Sequence, residues 1–204
     1  MNTAPPRPAL PRPVLFGVAG VLLAFLVASI GVYVWLGSDG HRAGQVGGPF
    51  TLLDGDGKAV SDTAFRGRYM LVYFGYTYCP DVCPTTLTTV EQAMDKLGVE
   101  ASRVQPIFIT VDPQRDTPSV MKQYVEAFSP RLIGLTGSPD AIAHVAQEYK
   151  VYYAIHRTPG DNGAYTVDHS SILYLMGRDG RFIEPIPADS TPDAMAQAIR
   201  QQVG

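Results

Sequence analysis

The chain has 204 residues, 46% hydrophobic, 17% charged and 10% aromatic, with a formal net charge of −3. This is the balance of an ordinary globular protein, without a basic stripe or aromatic platform that would draw nucleic acid or an anionic membrane surface. The length holds one domain of about 150 residues with a self-sufficient core, plus additional segments.

Residues 1–13, rich in Pro and polar groups, read as a short cytoplasmic N-terminus. Residues 14–36 form a run of 23 residues without a charge. As a helix, a run of that length crosses the roughly 30 Å hydrocarbon core of a bilayer. Tyr33 and Trp35 stand near its far end, where amphipathic rings favour the interface. Arg7 and Arg12 precede it and no acidic residue does, so the positive-inside rule leaves the N-terminus in the cytoplasm and exports the remainder. A cleaved signal peptide is the competing reading, but its apolar core is usually only about 7–15 residues. The expectation is a single-pass membrane anchor.

Residues 37–48 contain five glycines and read as a flexible tether. The domain proper is expected over 49–204. Phe50 to Val60, with Asp54-Gly55-Asp56-Gly57 at its centre, predicts a small hairpin. Tyr69 to Gly75 is a continuous apolar run, as in a strand buried on both faces. From Pro84 to Leu97, the spacing of Leu87, Val90, Met94 and Leu97 predicts a helix. Val104 to Val111 reads as a second buried strand and Arg131 to Leu135 as a short third. Thr117-Pro118 and Ser138-Pro139 open two further helices with N-cap-plus-N1 signals. Val151 to Ile155, Ser171 to Met176 and Phe182 to Ile186 are strand-like, and Ser190-Thr191-Pro192 opens a C-terminal helix. This alternation predicts an α/β domain, a mixed sheet with helices on both faces.

Cys79 and Cys83 are the only cysteines. They lie between the first long strand and the first helix, a placement that points to a thioredoxin-like fold. Such a pair can form a disulfide, act as a redox couple or chelate a soft metal. Cys83 precedes Pro84 in the first-turn region of a helix, where free N–H groups and the macrodipole favour a thiolate. Asp81, between the thiols, opposes added negative charge. A purely structural disulfide closing so small a loop would contribute only about 2 kcal/mol. Tetrahedral zinc needs four ligands, and neither a second Cys pair nor a closely spaced His pair exists. Cu(I) accepts fewer ligands and prefers thiolates. Of the four histidines, His41 falls in the tether, His144 in a helix and His156 just beyond a strand. His169 stands at the mouth of the strand Ser171 to Met176. In a thioredoxin-like sheet that strand runs antiparallel to the one carrying the cysteines, so its start lies beside their end.

Three segments in this order resemble the Sco/SenC family of membrane-anchored copper proteins that help assemble cytochrome c oxidase. Cys79-Pro80-Asp81-Val82-Cys83-Pro84 looks like the family's CPxxCP loop, and Asp112-Pro113-Gln114-Arg115-Asp116-Thr117-Pro118 like its DPxRDTP loop. Asp168-His169-Ser170 before an apolar strand looks like its histidine segment. The resemblance covers essentially the whole globular domain. It implies that Cys79, Cys83 and His169 are copper ligands for Cu(I) and, in this family, Cu(II), with a Cys79–Cys83 disulfide in the oxidised form. Because Cu(II) beside two thiolates is prone to self-reduction, the sulfurs would need shielding. Asp81, Asp112, Arg115 and Asp116 are candidates for support behind the ligands or for partner docking. Asp112, Arg115 and Asp116 have an ordinary alternative as an Asp-Pro turn with an Arg–carboxylate pair.

The function so implied is a copper metallochaperone delivering copper to the CuA-bearing subunit of cytochrome c oxidase. A second copper chaperone or a thiol reductant would be further partners. The location would be a bacterial-type inner membrane with the domain in the periplasm, or the intermembrane space of a mitochondrion. The alternative is a thiol–disulfide oxidoreductase that reduces the CuA-site cysteines. Three residues rather than two separate the thiols, and no Pro precedes the later strand. Both departures favour metal binding over general oxidoreductase turnover.

Overall fold

The computed structural model describes residues 25–29, 46–157 and 165–204. The chain divides into two units, 1–44 and 45–204. Residues 25–29 are helical, while the rest of the expected anchor over 14–36, the N-terminus 1–13 and most of the tether 37–48 lie outside the described residues. No helix among the described residues is long and apolar enough to cross a membrane.

The second unit is built on a five-stranded mixed sheet. Its centre is Tyr69–Gly75, here β3, whose YMLVYFG sequence is buried at all but its first residue. Alternation sends Leu71 and Tyr73 to one face and Met70, Val72 and Phe74 to the other. β4 (Val104–Thr110) pairs parallel to β3, and β5 (Ile133–Leu135) parallel to β4. On the other side β8 (Ile172–Met176) runs antiparallel to β3, as expected, and β9 (Phe182–Pro187) closes that edge. The order is β5-β4-β3-β8-β9.

Both faces are covered. α1 (Val82–Leu97), α2 (Pro118–Glu126) and α4 (Pro192–Val203) pack on the Leu71/Tyr73 face, with Leu87, Val90, Met94, Met121, Met195 and Ile199 buried there. α3 (Pro139–Glu148) and the hairpin β1 (Thr51–Leu53) with β2 (Ala59–Ser61) cover the other. The helix entries follow the Ser/Thr-Pro signals, although only two caps close through the side chain. Ser138 Oγ accepts from Ala141 N at 3.1 Å and Thr191 Oγ1 from Ala194 N at 3.3 Å. Thr117 makes no such bond. The domain is entered at the end remote from the cysteines: Gly47 donates to Glu148 O (2.8 Å) beside Met176, which pairs with Met70 at the start of β3.

Two boundaries move in ways that matter for function. α1 starts at Val82 rather than Pro84, with Asp81 as N-cap, so Cys83 is inside the first turn. Tyr165–His169, to which the sequence assigns no element, is a strand, β7, paired with β6 (Tyr153–Arg157) in the register Tyr153↔His169. Among the described residues this ribbon shares no ladder with the five-stranded sheet.

β3 ends on Gly75 because nothing larger fits: a Cβ there would lie 2.7 Å from Cys83 Sγ and 2.8 Å from Phe108 Cε2. Gly75→Ala is therefore expected to lower stability by about 1–3 kcal/mol through overpacking and to displace Cys83. Urea unfolding of the reduced protein measures it, and an unchanged midpoint would mean that Cys83 moves aside freely.

Candidate metal centre

The strand-to-helix junction brings the two thiols together. After Gly75 the chain turns, with Cys79 N donating to Tyr76 O (3.2 Å), and then enters α1. Cys83 is fully buried and Cys79 half-buried; both are free thiols. The backbone N–H of Cys83, one of the unpaired donors of the first helical turn, points at Cys79 Sγ (3.4 Å).

The third member comes from the ribbon. His169 ends β7, and its Nε2 lies 3.3 Å from Cys83 Sγ. Its Nδ1 lies 3.1 Å from Ser170 O, an acceptor only, so Nδ1 carries the proton and Nε2 presents its lone pair. The imidazole is wedged edge-on between Tyr73 and Tyr76, at centroid distances of 6.0 and 6.1 Å. Sγ of Cys79, Sγ of Cys83 and a ring nitrogen of His169 lie within 4.8 Å of one another.

The pair of thiols is asymmetric. The Cys83 side chain donates to Cys79, and with the N–H groups at the helix start this brings the Cys79 pKa down to about 5 against the opposing effect of burial. The Cys79 thiolate and burial together push Cys83 strongly upward. At neutral pH the pair thus holds one proton, on Cys83. Two sulfurs and one imidazole are a soft donor set suited to a metal of low coordination number. The hydroxyl of Tyr73, 4.0 Å from Cys83 Sγ, is a neighbour to the sulfur rather than a fourth ligand.

Behind the ligands lies the loop between β4 and α2. Asp116 is completely buried, and burial raises its pKa even though it accepts three hydrogen bonds. They come from Thr77 N (3.0 Å), Thr77 Oγ1 (2.5 Å) and Thr110 Oγ1 (2.6 Å). Asp112, also buried, is paired with Arg115 Nε and accepts from the Tyr165 hydroxyl at 2.7 Å. Arg115 donates through Nη1 to Tyr165 O (3.2 Å), and its guanidinium lies 3.7 Å from the Tyr165 ring centroid and 4.7 Å from that of Tyr78. Its Nη2 is buried and has no hydrogen-bond partner among the described residues.

Cys79, Cys83 and His169 therefore converge, with Asp112, Arg115 and Asp116 directly behind them. Asp81 is the exposed N-cap of α1, outside the donor group. Of the other histidines, His144 is exposed on α3, His156 pairs with Asp168 (2.9 Å), and His41 lies outside the described residues. Sequence reasoning missed Thr77, Thr110 and Tyr165. Tyr165 was detectable through the alternation of Tyr165, Val167 and His169 along β7. The thiol asymmetry has a direct readout: Cys79 is expected to react with iodoacetamide well before Cys83 at pH 7. Since its pKa is depressed, the fast phase should persist as pH falls and disappear only through about pH 5. Equal rates for both thiols would contradict the arrangement.

Comparison with known proteins gives a consistent relationship. The SCO1/SenC family model matches residues 38–204. Protein SCO1 homolog 1, mitochondrial, of Arabidopsis thaliana is 42% identical over 173 residues, covering 80% of this chain and 50% of its own length, so the chain spans about half of that relative. Copper-bound ScoI of Bradyrhizobium japonicum is similar in structure at a TM-score of 0.70 and 46% identity, over 77% of this chain and 99% of that one. BsSco, described with a disulfide switch and as a member of the Sco family of cytochrome c oxidase assembly proteins, matches at a TM-score of 0.59 and 28% identity, over 78% and 94% of the two chains.

Proposed function

The chain belongs to the SCO1/SenC family, and on that premise we propose that it is a copper metallochaperone that loads the CuA-bearing subunit of cytochrome c oxidase. The observation that carries this reading is the convergence of Cys79, Cys83 and His169 within 4.8 Å, with His169 Nε2 free to ligate. Cu(I) would be held by both sulfurs and the imidazole, and the Cys83 proton would leave as the metal enters. Delivery would proceed by ligand exchange. A thiolate of the acceptor displaces one donor at a time, so copper moves without a change of oxidation state and the released Cys83 thiolate regains its proton. Copper would come from a second copper chaperone. The anchor expected over 14–36 would hold the domain on the periplasmic face of a bacterial inner membrane, or in the intermembrane space of a mitochondrion. Asp81, Asp112, Arg115 and Asp116 would serve as ligand support or as part of the face met by the partner.

A second reading has its own support in the half-exposed, acidic Cys79 beside a buried, protonated Cys83. That is the asymmetry of a thiol–disulfide reductase, with Cys79 attacking the CuA-site disulfide and Cys83 resolving the mixed disulfide. Two electrons would pass to the target with the Cys83 proton, a second proton coming from solvent where the released target thiolate takes one up, leaving a Cys79–Cys83 disulfide that cannot bind copper until an external thiol reduces it.

The reduced chain, solubilised in detergent, is expected to bind one Cu(I) per molecule in competition with a chromophoric chelator. Cys79→Ser or Cys83→Ser should abolish tight binding. His169→Ala should weaken it by at least the roughly 10–100-fold that loss of an outer-shell partner costs. Unchanged affinity and spectrum in His169→Ala would remove His169 from the site. If the apo dithiol reduces an oxidised CuA domain faster than the loaded protein transfers copper, the reductase reading prevails.

A further inference from the structure

We infer that Tyr165, locked by Asp112 and Arg115, is the positioning residue that holds His169 over the two thiols. Its release would convert a three-donor site into a two-donor one. The inference rests on the three-donor reading above and goes beyond it by assigning control of the histidine to a separate contact.

Among the described residues β6 and β7 pair only with each other, and the ribbon joins the main sheet through the chain itself, where Ser170 and Ser171 lead from His169 into β8 and Ser171 O accepts from Ala188 N (3.1 Å). Ser170 N bonds to Tyr152 O (3.0 Å), a contact between the two arms of the ribbon rather than to the sheet. Beyond the chain link to β8, β7 is held to the domain by the row of alternate side chains on its inner face, Tyr165, Val167 and His169. Val167 is buried in the core, but a valine in an apolar surface resists translation much more than rotation. The His169 ring touches Tyr73 and Tyr76 only edge-on. Tyr165, four residues earlier and so about 13 Å away along the strand, supplies the directional bonds. Its hydroxyl donates to the buried Asp112 Oδ1, its carbonyl accepts from Arg115 Nη1, and its ring lies against the guanidinium. A strand joined to β8 at one end, packed on a buried valine in the middle and fixed by two hydrogen bonds at the other resists turning about its own axis, so the direction of the His169 ring is set.

The opposite donors are held by the same loop. Asp116 grips Thr77, two residues before Cys79, through both its backbone N–H and its hydroxyl. The loop from 112 to 116 thus holds the thiol segment at Asp116 and the histidine ribbon at Asp112 and Arg115, which sets the distance between sulfur and nitrogen. Removing the Tyr165 hydroxyl leaves in place the grip of Asp116 on Thr77, and the Arg115 guanidinium still faces the Tyr78 ring on the thiol segment (4.7 Å).

The test uses the full chain in detergent with Tyr165→Phe, which keeps the ring on Arg115 and removes one hydroxyl. In the copper-free protein, 15N-edited NMR of His169 should change from a single Nδ1–H tautomer to averaged signals. This readout does not depend on copper. With Cu(I), affinity is expected to fall about tenfold, the scale of one lost hydrogen bond to a charged acceptor. In a His169→Ala background the same Tyr165→Phe change is expected to alter affinity by less than about twofold. An equal fall in both backgrounds, or an unaltered His169 signal in Tyr165→Phe, overturns the inference. Failure of His169→Ala itself to weaken copper binding would instead overturn the three-donor reading, even with the NMR change present.

Discussion

Asp112 and Asp116 are buried carboxylates on one loop, and the arrangement of the site depends on how they are satisfied. A buried carboxylate without partners is costly enough to take up a proton or unfold its surroundings. Here every oxygen is engaged, by groups from several parts of the chain: Thr77 from the segment before the thiols, Thr110 from the end of β4, Tyr165 from the ribbon, and Arg115 from the loop itself. The need to satisfy two buried charges draws three separate segments to the same edge of the sheet. Only at that edge, beyond the carboxyl ends of parallel β3 and β4, do the helix start and the ribbon end come close enough for three soft donors to meet.

The electrostatics of the thiols follow from the same junction. A helix start supplies unpaired N–H groups to Cys79, while burial against Gly75 and the core denies water to Cys83. One residue is thereby made acidic and accessible, and its neighbour four positions later is made reluctant to ionise. For metal binding, this means that a single proton must be released on loading, so affinity rises with pH. For redox chemistry, it separates an attacking sulfur from a resolving one. Both activities arise from one geometry, which is why spacing alone does not choose between them.

Much of this is legible in the residues alone. The run Tyr69 to Gly75 is apolar without interruption because both of its faces are covered, and the Ser/Thr-Pro pairs mark helix entries that the backbone obeys. The antiparallel relation of β8 to β3 was enough to bring His169 toward the cysteines. The strand character of Tyr165–His169 was less visible, because Asp168-His169-Ser170 carries turn-forming residues that masked the alternation of Tyr165 and Val167. The partners of Asp116 could not be read at all. Thr77 and Thr110 are separated from it by 39 and 6 residues, and threonines of that kind are common in loops and strands alike. A hydrogen bond across sequence distance leaves no periodicity to detect.

The position of Gly47 has a consequence for how the domain can be handled. The chain enters beside Met176, at the start of β3, and the thiols stand past its other end. The seven residues of that strand put about 23 Å of sheet between entry and donors. A molecule approaching Cys79 therefore meets the α1 start, the 112–116 loop and the ribbon, with the entry point on the opposite side. Attachment upstream of the domain, to a surface or a fused carrier, leaves the donor face open. A fusion or insertion in the ribbon would instead burden the one arm that carries the histidine.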